Sequence, residues 1–257
     1  KAKKLRGIFS MGMLTTPPPD AKIGDDVAEK LGIIKYEPPE PALIGGQNEH
    51  DPGFIPKYTG IENFRRYGNV IQEGEPVILT EKVHGCNARY LWHSATERLW
   101  VGSHGCIKKE DPNNLWWKIA AKNNLAEKLR LVPDKVFYGE IFGHNVQDLK
   151  YGAKANENFL KFFDVFDSFS GKYLDYDDAI AAIKTAELDP VPVLFRGPWS
   201  KDLTALAEGK STLADNVREG FVVRPEKERY SNEVGRVILK YVGEGYHLRK
   251  GETTEFR

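Results

Sequence analysis

"TEKVHGCN", residues 80–87, places a lysine at the end of an apolar run, Val77-Ile78-Leu79, with Glu81 before it and His84-Gly85 after it. A lysine is ordinarily a solvated surface charge. One held at a strand end beside a glutamate and a histidine invites a reading as a nucleophile. The local pattern does not decide this, because Lys-x-x-Gly begins at Lys4, Lys57, Lys82 and Lys240. The choice among them has to come from the rest of the chain.

From Pro76 onward the texture is that of short strands rich in β-branched and aromatic residues: "PVILTEK", "NARYLWH", "RLWVGS", "VFYGEIFG", "NFLKFFDVFD", "VPVLF", "EGFVVRP" and "RVILKYV". Helical spacing of Leu115, Ile119, Leu125 and Leu129 predicts one helix over 111–132, capped by Asp111 with Pro112 in its first turn. "DYDDAIAAIKTAEL" and "SKDLTALAEG" read as two further helices, the second ending at Gly209. Strands outnumber helices and do not alternate with them, which predicts an α+β fold of mostly antiparallel sheets with flanking helices. Residues 1–60 read as an N-terminal linker or wrap, because "TTPPPD" and "YEPPEPALIGGQ" hold neither long helices nor central strands. A short helix is expected in "GDDVAEKLGI" between them. Residues 61–257 then form the functional domain.

The 257 residues allow one large domain, and the 40% apolar content supports a sizeable core. Lys+Arg and Asp+Glu both total 37, which excludes a histone-like, wholly electrostatic nucleic-acid binder but not a local basic groove. Two cysteines are too few for a secreted disulfide scaffold, so a reducing, cytoplasmic setting is expected. No run of 18 apolar residues is present, so no membrane span is expected.

Three patterns compete for the chemistry. "EGKS" at 208–211 ends like a phosphate loop, but the earlier glycine that the motif requires falls at Thr204. His84, Cys86, His104 and Cys106 are the residue types of a zinc site, yet they lack the usual Cys-x2–4-Cys spacing. The third pattern is a set of charges isolated on apolar strands: Lys82, Glu140, Glu219 and Lys240. A charge among strand formers is costly unless it is paired or meets a ligand. Taken singly, each reads as a wet-face residue of a sheet. Two amines and two carboxylates together suit a polyphosphate with a divalent cation.

The order Lys-x-x-Gly, Tyr-Gly-Glu, Phe-Asp, Glu-Gly-x-Val and a strand with Leu-Lys resembles the motif series of the covalent nucleotidyltransferases, which include ATP-dependent RNA and DNA ligases and mRNA capping enzymes. "EKVHGCN" is similar to the first motif of nick-sealing RNA ligases, and "KLRGIFSMGML … GDDVAEKLGIIKYEPP" resembles the segment before the catalytic domain of Deinococcus-type RNA ligases. The resemblance implies a nucleotidyltransferase (ATP-grasp-like ligase) domain preceded by an OB-like domain. It implies ATP, Mg²⁺ or Mn²⁺, a monomer, and a nicked RNA or RNA/DNA duplex as substrate. Of the four Lys-x-x-Gly matches, only Lys82 has the strand before it and the other motifs after it in order. Lys82 corresponds to the nucleophile that becomes lysyl-AMP, and Glu81 to the reader of the adenine amino group. His84, Gly85 and Asn87 complete the first motif near phosphates or metal. Glu140 corresponds to the acid on the ribose or metal waters, Phe163 (with Phe166 as the other register) to the ring stacked on adenine, Glu219 to the metal acid, and Lys240 to the lysine on the α-phosphate. The chain departs from the pattern twice. Ser103 and His104 stand where many relatives hold the ribose with an arginine, and Ile238 stands where the last motif often has a second lysine. A DNA ligase, a GTP-using capping enzyme and a non-catalytic nucleic-acid-binding relative are the rival readings. The stretches 116–130 and 246–257 offer basic and aromatic residues to a nucleic-acid backbone, or form an amphipathic helix and a solvated tail.

A free lysine has a pKa of about 10.4, and a downward shift of ~3 units corresponds to roughly 4 kcal/mol. A nearby metal cation, a second lysine and partial burial are the expected sources of that shift.

Overall fold

The computed structural model describes residues 4–5, 8–9, 15–23, 25, 27, 30–32 and 46–249. Residues 1–44 and 45–257 form two compact units. In the first, strands β1 (Lys4–Leu5) and β2 (Ile8–Phe9) pair antiparallel. The helix expected within 24–33 lies largely outside the described residues, as does the tail after Arg249.

The second unit is built on two sheets. A seven-stranded sheet has the spatial order β11 (Lys172–Tyr173), β10 (Asn158–Asp167), β9 (Lys135–Gly143), β6 (Cys86–His93), β7 (Arg98–Ser103), β8 (Ile107–Lys108), β3 (Asn48–Glu49). A five-stranded sheet has the order β12 (Val193–Pro198), β5 (Pro76–Lys82), β13 (Gly220–Pro225), β16 (Leu239–Val242), β4 (Glu62–Asn63). Neighbours run antiparallel except β16 and β4. β14 (Tyr230–Ser231) and β15 (Gly235–Arg236) form a separate hairpin. The helices are α1 (Phe64–Tyr67), α2 (Leu115–Lys122), α3 (Leu125–Arg130), α4 (Tyr176–Thr185) and α5 (Glu244–Leu248). The antiparallel α+β architecture read from the strand pattern is the one observed.

Alternation along each strand sends successive side chains to opposite faces, and residues paired across a ladder share a face. In the five-stranded sheet Val77, Leu79, Phe221, Val223 and Leu239 make one face. They are buried in a core with Trp199 and Ala207. Thr80, Lys82, Val222 and Lys240 lie on the other face, through the pairs Val222↔Thr80 and Val222↔Lys240. That face meets the seven-stranded sheet: Val222 and Ile238 pack with Leu91, Val136 and Tyr138, and with Ile55 and Tyr58 from the preceding segment. Helices α2, α3 and α4 cover the far side of the seven-stranded sheet, where the Tyr90 hydroxyl reaches the Trp116 carbonyl.

Two helix expectations are corrected. The single helix over 111–132 is two, broken at Asn124, whose φ of 53° is left-handed. Asparagine tolerates that conformation better than most residues. The cap of α2 is Asn114, not Asp111: its side chain accepts from the backbone N–H groups of Trp116 and Trp117. "SKDLTALAEG" forms a 3₁₀ segment, Lys201–Ala207. Among the described residues no helix is long and apolar enough to cross a membrane.

Candidate active site

A cleft of about 110 Å³ opens between the two sheets. Thr80, Lys82, Val222 and Ile238 border it from the five-stranded sheet, and Asn87, Glu140 and Phe163 from the seven-stranded sheet. The ladder explains this grouping. Asn87 pairs with Glu140 across β6 and β9, and Glu140 pairs with Lys161 on β10. A bulge between Phe162 and Asp164 frees Phe163 from the register. It turns toward the cleft with its ring edge-on to Tyr58, centroids 5.0 Å apart. Phe166 packs on Tyr173 instead, at 5.2 Å, and does not border the cleft.

Lys82 Nζ lies 2.8 Å from Glu219 Oε1, with the carboxylate wholly buried and the lysine side chain 17% exposed. Glu219 is delivered by the turn into β13. Gly220, at φ 155°, lets the backbone pass where a Cβ would come within 2.0 Å of the Tyr241 carbonyl oxygen. Gly85 meets a similar demand, since a Cβ there would stand 2.1 Å from the Ile141 carbonyl oxygen. The loop from Lys82 to β6 therefore lies flat on β9. His84, between them, is 3% exposed. Its Nε2 is 2.7 Å from Asp148 Oδ1, its Nδ1 is 3.1 Å from the Tyr246 hydroxyl, and its backbone N–H donates to the Tyr151 hydroxyl at 2.7 Å. Burial pushes the imidazole pKa down to about 4, against the pull of Asp148, so the ring is neutral at pH 7.

The other expected residues divide. Lys240 stands on the same sheet face as Lys82, in the row with Val222 and Thr80. Glu81, adjacent to Lys82 on a strand, points to the opposite face. Its backbone borders the cleft, but its carboxylate accepts from the Thr212 N–H at 2.8 Å, the Thr212 hydroxyl at 2.5 Å and the Ser211 hydroxyl. Ser103 is 1% exposed and pairs with Ala88, so it lies on the sheet face opposite Asn87 and Glu140, with its Oγ 3.4 Å from Cys106 Sγ. Arg89 shares the face of Asn87, but it is fully buried and donates to the Ser103 and Ile55 carbonyls.

Reading isolated charges missed the base of the cleft. Asp164, wholly buried, accepts from Tyr58 at 2.7 Å and Arg224 at 3.0 Å, and pairs with Arg236 at 2.6 Å. Glu228 pairs with both arginines. Asp164 and Arg224 carry the same signal, a charge among strand formers, as the residues that were singled out.

A zinc centre finds no support: among the described residues no group of three or more His, Cys, Asp or Glu is placed to hold a metal ion. The donors at the cleft are instead oxygens. They are Glu140, Glu219 and the Asn87 Oδ1, a buried acceptor with no hydrogen-bond partner among the described residues. This set fits a hard divalent cation that keeps water and phosphate oxygens as its remaining ligands.

A model of the RNA ligase family matches residues 75–242. The chain belongs to the RNA ligase family. An RNA ligase from Naegleria gruberi solved with PPi is 25% identical, with a TM-score of 0.73 over 96% of this chain and 74% of that one. An arginine-to-alanine variant of the same ligase with ATP and Mn is 25% identical at TM-score 0.73, covering 95% and 74% of the two chains. A further variant with ATP and Mn, 24% identical at TM-score 0.75, covers 96% of this chain and 74% of that one and shares the fold. No curated protein sequence matches the chain. The matched span runs from the strand bearing Lys82 to the strand bearing Lys240, so the family domain of this RNA ligase holds Lys82, Asn87, Glu140, Phe163, Glu219 and Lys240, while Tyr58 and Ile61 border the cleft from the segment before it.

Proposed function

We propose that this RNA ligase is ATP-dependent, works through lysyl-AMP on Lys82, and seals nicks in RNA or RNA/DNA duplexes, with residues 61–257 as its catalytic domain. The observation that carries the reading is Lys82 Nζ held 2.8 Å from Glu219 beside a cleft bordered by Asn87, Glu140 and Phe163. The ATP and Mn seen with the Naegleria gruberi ligase support the choice of nucleotide and metal. In the first step the Lys82 amine, as the neutral base, attacks the α-phosphorus. A P–N bond forms and pyrophosphate leaves. The AMP then passes to a 5′-phosphate oxygen, a 3′-hydroxyl attacks that phosphorus, and AMP departs as the phosphodiester forms. Phe163 and Val222 offer two apolar walls to a base, and Lys240 offers its charge to the α-phosphate. Glu140, Glu219 and Asn87 would hold Mg²⁺ or Mn²⁺, whose charge neutralises phosphate oxygens and favours the neutral amine. Glu81 contributes backbone to the base pocket, because its carboxylate is committed to residues 211–212.

Incubation with α-labelled ATP and Mg²⁺, followed by a denaturing gel, tests this. Wild type and Lys57→Ala retain label, while Lys82→Ala retains none. Retention by Lys82→Ala, with loss in Lys57→Ala, would sink the assignment. The DNA ligase rival is separated by nicks that differ only in the terminal 3′ sugar. A 2′-hydroxyl both donates and accepts, so a site can read it. A ribose end joins faster than a deoxyribose end, and equal rates favour the rival.

A further inference from the structure

The mechanism above leaves the shell around His84 unused. The Asp148 carboxylate, which accepts and does not donate, lies on Nε2, so Nε2 carries the ring proton. In the neutral ring Nδ1 is then a bare acceptor, and it takes the Tyr246 hydroxyl as donor at 3.1 Å. Asp148 is itself clamped by Arg249, 2.8 Å to each oxygen. Tyr246 lies on α5, which follows directly on the strand bearing Lys240 and just beyond the family match at 75–242, so the segment after that match folds back onto the first motif.

The alternative tautomer shows why this matters. Nδ1 is also 3.8 Å from Glu219 Oε2, the second oxygen of the carboxylate that holds Lys82. A proton on Nδ1 would turn the ring into a donor to that oxygen and draw Glu219 away from the amine. Resting on the lysyl-AMP reading of this site, we infer that Asp148 and Tyr246 are positioning residues. They lock His84 as its Nε2–H tautomer and thereby keep Glu219 for the chemistry at Lys82.

The test uses the whole chain with ¹⁵N-histidine, Asp148→Asn and Tyr246→Phe, read by single-turnover adenylation and by ring nitrogen resonances; with six histidines, His84→Gln assigns the signal. Wild type shows a neutral ring protonated at Nε2. Asp148→Asn moves the proton toward Nδ1 and slows adenylation by about 10–100-fold, the usual scale for losing such an outer partner. Tyr246→Phe slows it by a smaller factor. The ATP concentration giving half the maximal rate stays within about twofold in both, which a general loss of structure would not leave intact. A wild-type ring protonated at Nδ1, or variants adenylating at the wild-type rate, overturns the inference. A wild-type chain that takes no label from ATP overturns the lysyl-AMP reading, and the positioning role with it. Should Asp148→Asn fail to fold, Tyr246→Phe, which removes one hydroxyl, decides the question.

Discussion

The cleft has two charged ends, and they are built on different terms. At its base Asp164, Arg224 and Arg236 are all 3% exposed or less, and two guanidiniums face two carboxylates, Asp164 and Glu228. Tyr58 closes the set, and the chain reaches it from β10, β13 and β15 together. At the mouth Lys82, Glu219, His84 and Asp148 meet around two buried groups, Glu219 and His84, with Lys82 and Asp148 side chains 17% and 28% exposed. A buried network that ties one sheet to the other is a clamp, while groups with a side open to the cleft can exchange a partner for a ligand. Charges buried on every side therefore mark the structural end here, and a buried carboxylate facing the partly exposed Lys82 marks the chemical one.

The largest expected effect follows from the base. Asp164→Asn leaves two buried guanidiniums with less than their charge complement and costs about 3–5 kcal/mol, the scale for removing one member of a buried ion pair. Asp148→Asn, at the half-exposed mouth, costs about 1 kcal/mol or less. Urea unfolding of the two variants measures both, and equal costs would break the distinction. The same contrast sets a pH dependence. Burial pushes the Asp164 carboxyl up, but Arg224 and Arg236 pull it below the ordinary carboxylate value, and Asp148 is lowered in the same sense by Arg249 and His84 against its own burial. Between the folded and unfolded values the unfolded chain binds more protons, so stability rises with pH. The contribution is complete above the ordinary aspartate value of about 3.9 and is lost as pH falls below it. His84, whose pKa burial lowers to about 4, adds a decline of its own as pH falls below the ordinary histidine value of about 6.5, so urea midpoints should fall from about pH 6.5 and drop further between pH 4 and 3; no further drop below pH 4 contradicts the clamp.

Much of this was legible in the chain. The strands 76–82, 135–143, 158–167, 220–225 and 239–242 announce themselves as β-branched and aromatic runs, and the charges they carry at Lys82, Glu140, Glu219 and Lys240 come to the facing sides of two sheets or to the turn beside them. Three things were not read. Asp164, Arg224 and Arg236 look like Glu140 in sequence, and what separates them is the pairing of Asp164 with the two arginines, 60 or more residues away, which no local pattern contains. The Glu81 carboxylate, expected at the adenine amino group, lies on the sheet face opposite Lys82, as strand alternation requires, although Glu81 itself borders the cleft. Ser103 was chosen by its place after the second strand, while its pairing with Ala88 turns it toward the helices. The break at Asn124 had a signal, the Asn-Asn pair inside an otherwise helical run, but helical periodicity continues through it because Leu125 and Leu129 are buried as Leu115 and Ile119 are.

A further expected effect separates the two phenylalanines that the sequence left in competition. Phe163 is the residue released by the β10 bulge, half-buried beside Tyr58 and bordering the cleft opposite Val222. Phe166 keeps the ladder register, opposite Val136 and Tyr173, and spends its ring on Tyr173. A base stacked on an aromatic face is worth about 1–3 kcal/mol by alanine substitution. Phe163→Ala should therefore raise the ATP concentration for half-maximal adenylation by roughly tenfold, since 1.4 kcal/mol is a factor of ten. Phe166→Ala removes packing between Tyr173 and the sheet, so it lowers the melting temperature and leaves the ATP dependence unchanged. Both variants lose ring volume from the same strand, so each serves as the other's control for general damage. If the ATP dependence moves with Phe166 and not with Phe163, the bulge does not aim a base-stacking ring, and the division between a chemical mouth and a structural base has been drawn in the wrong place along β10.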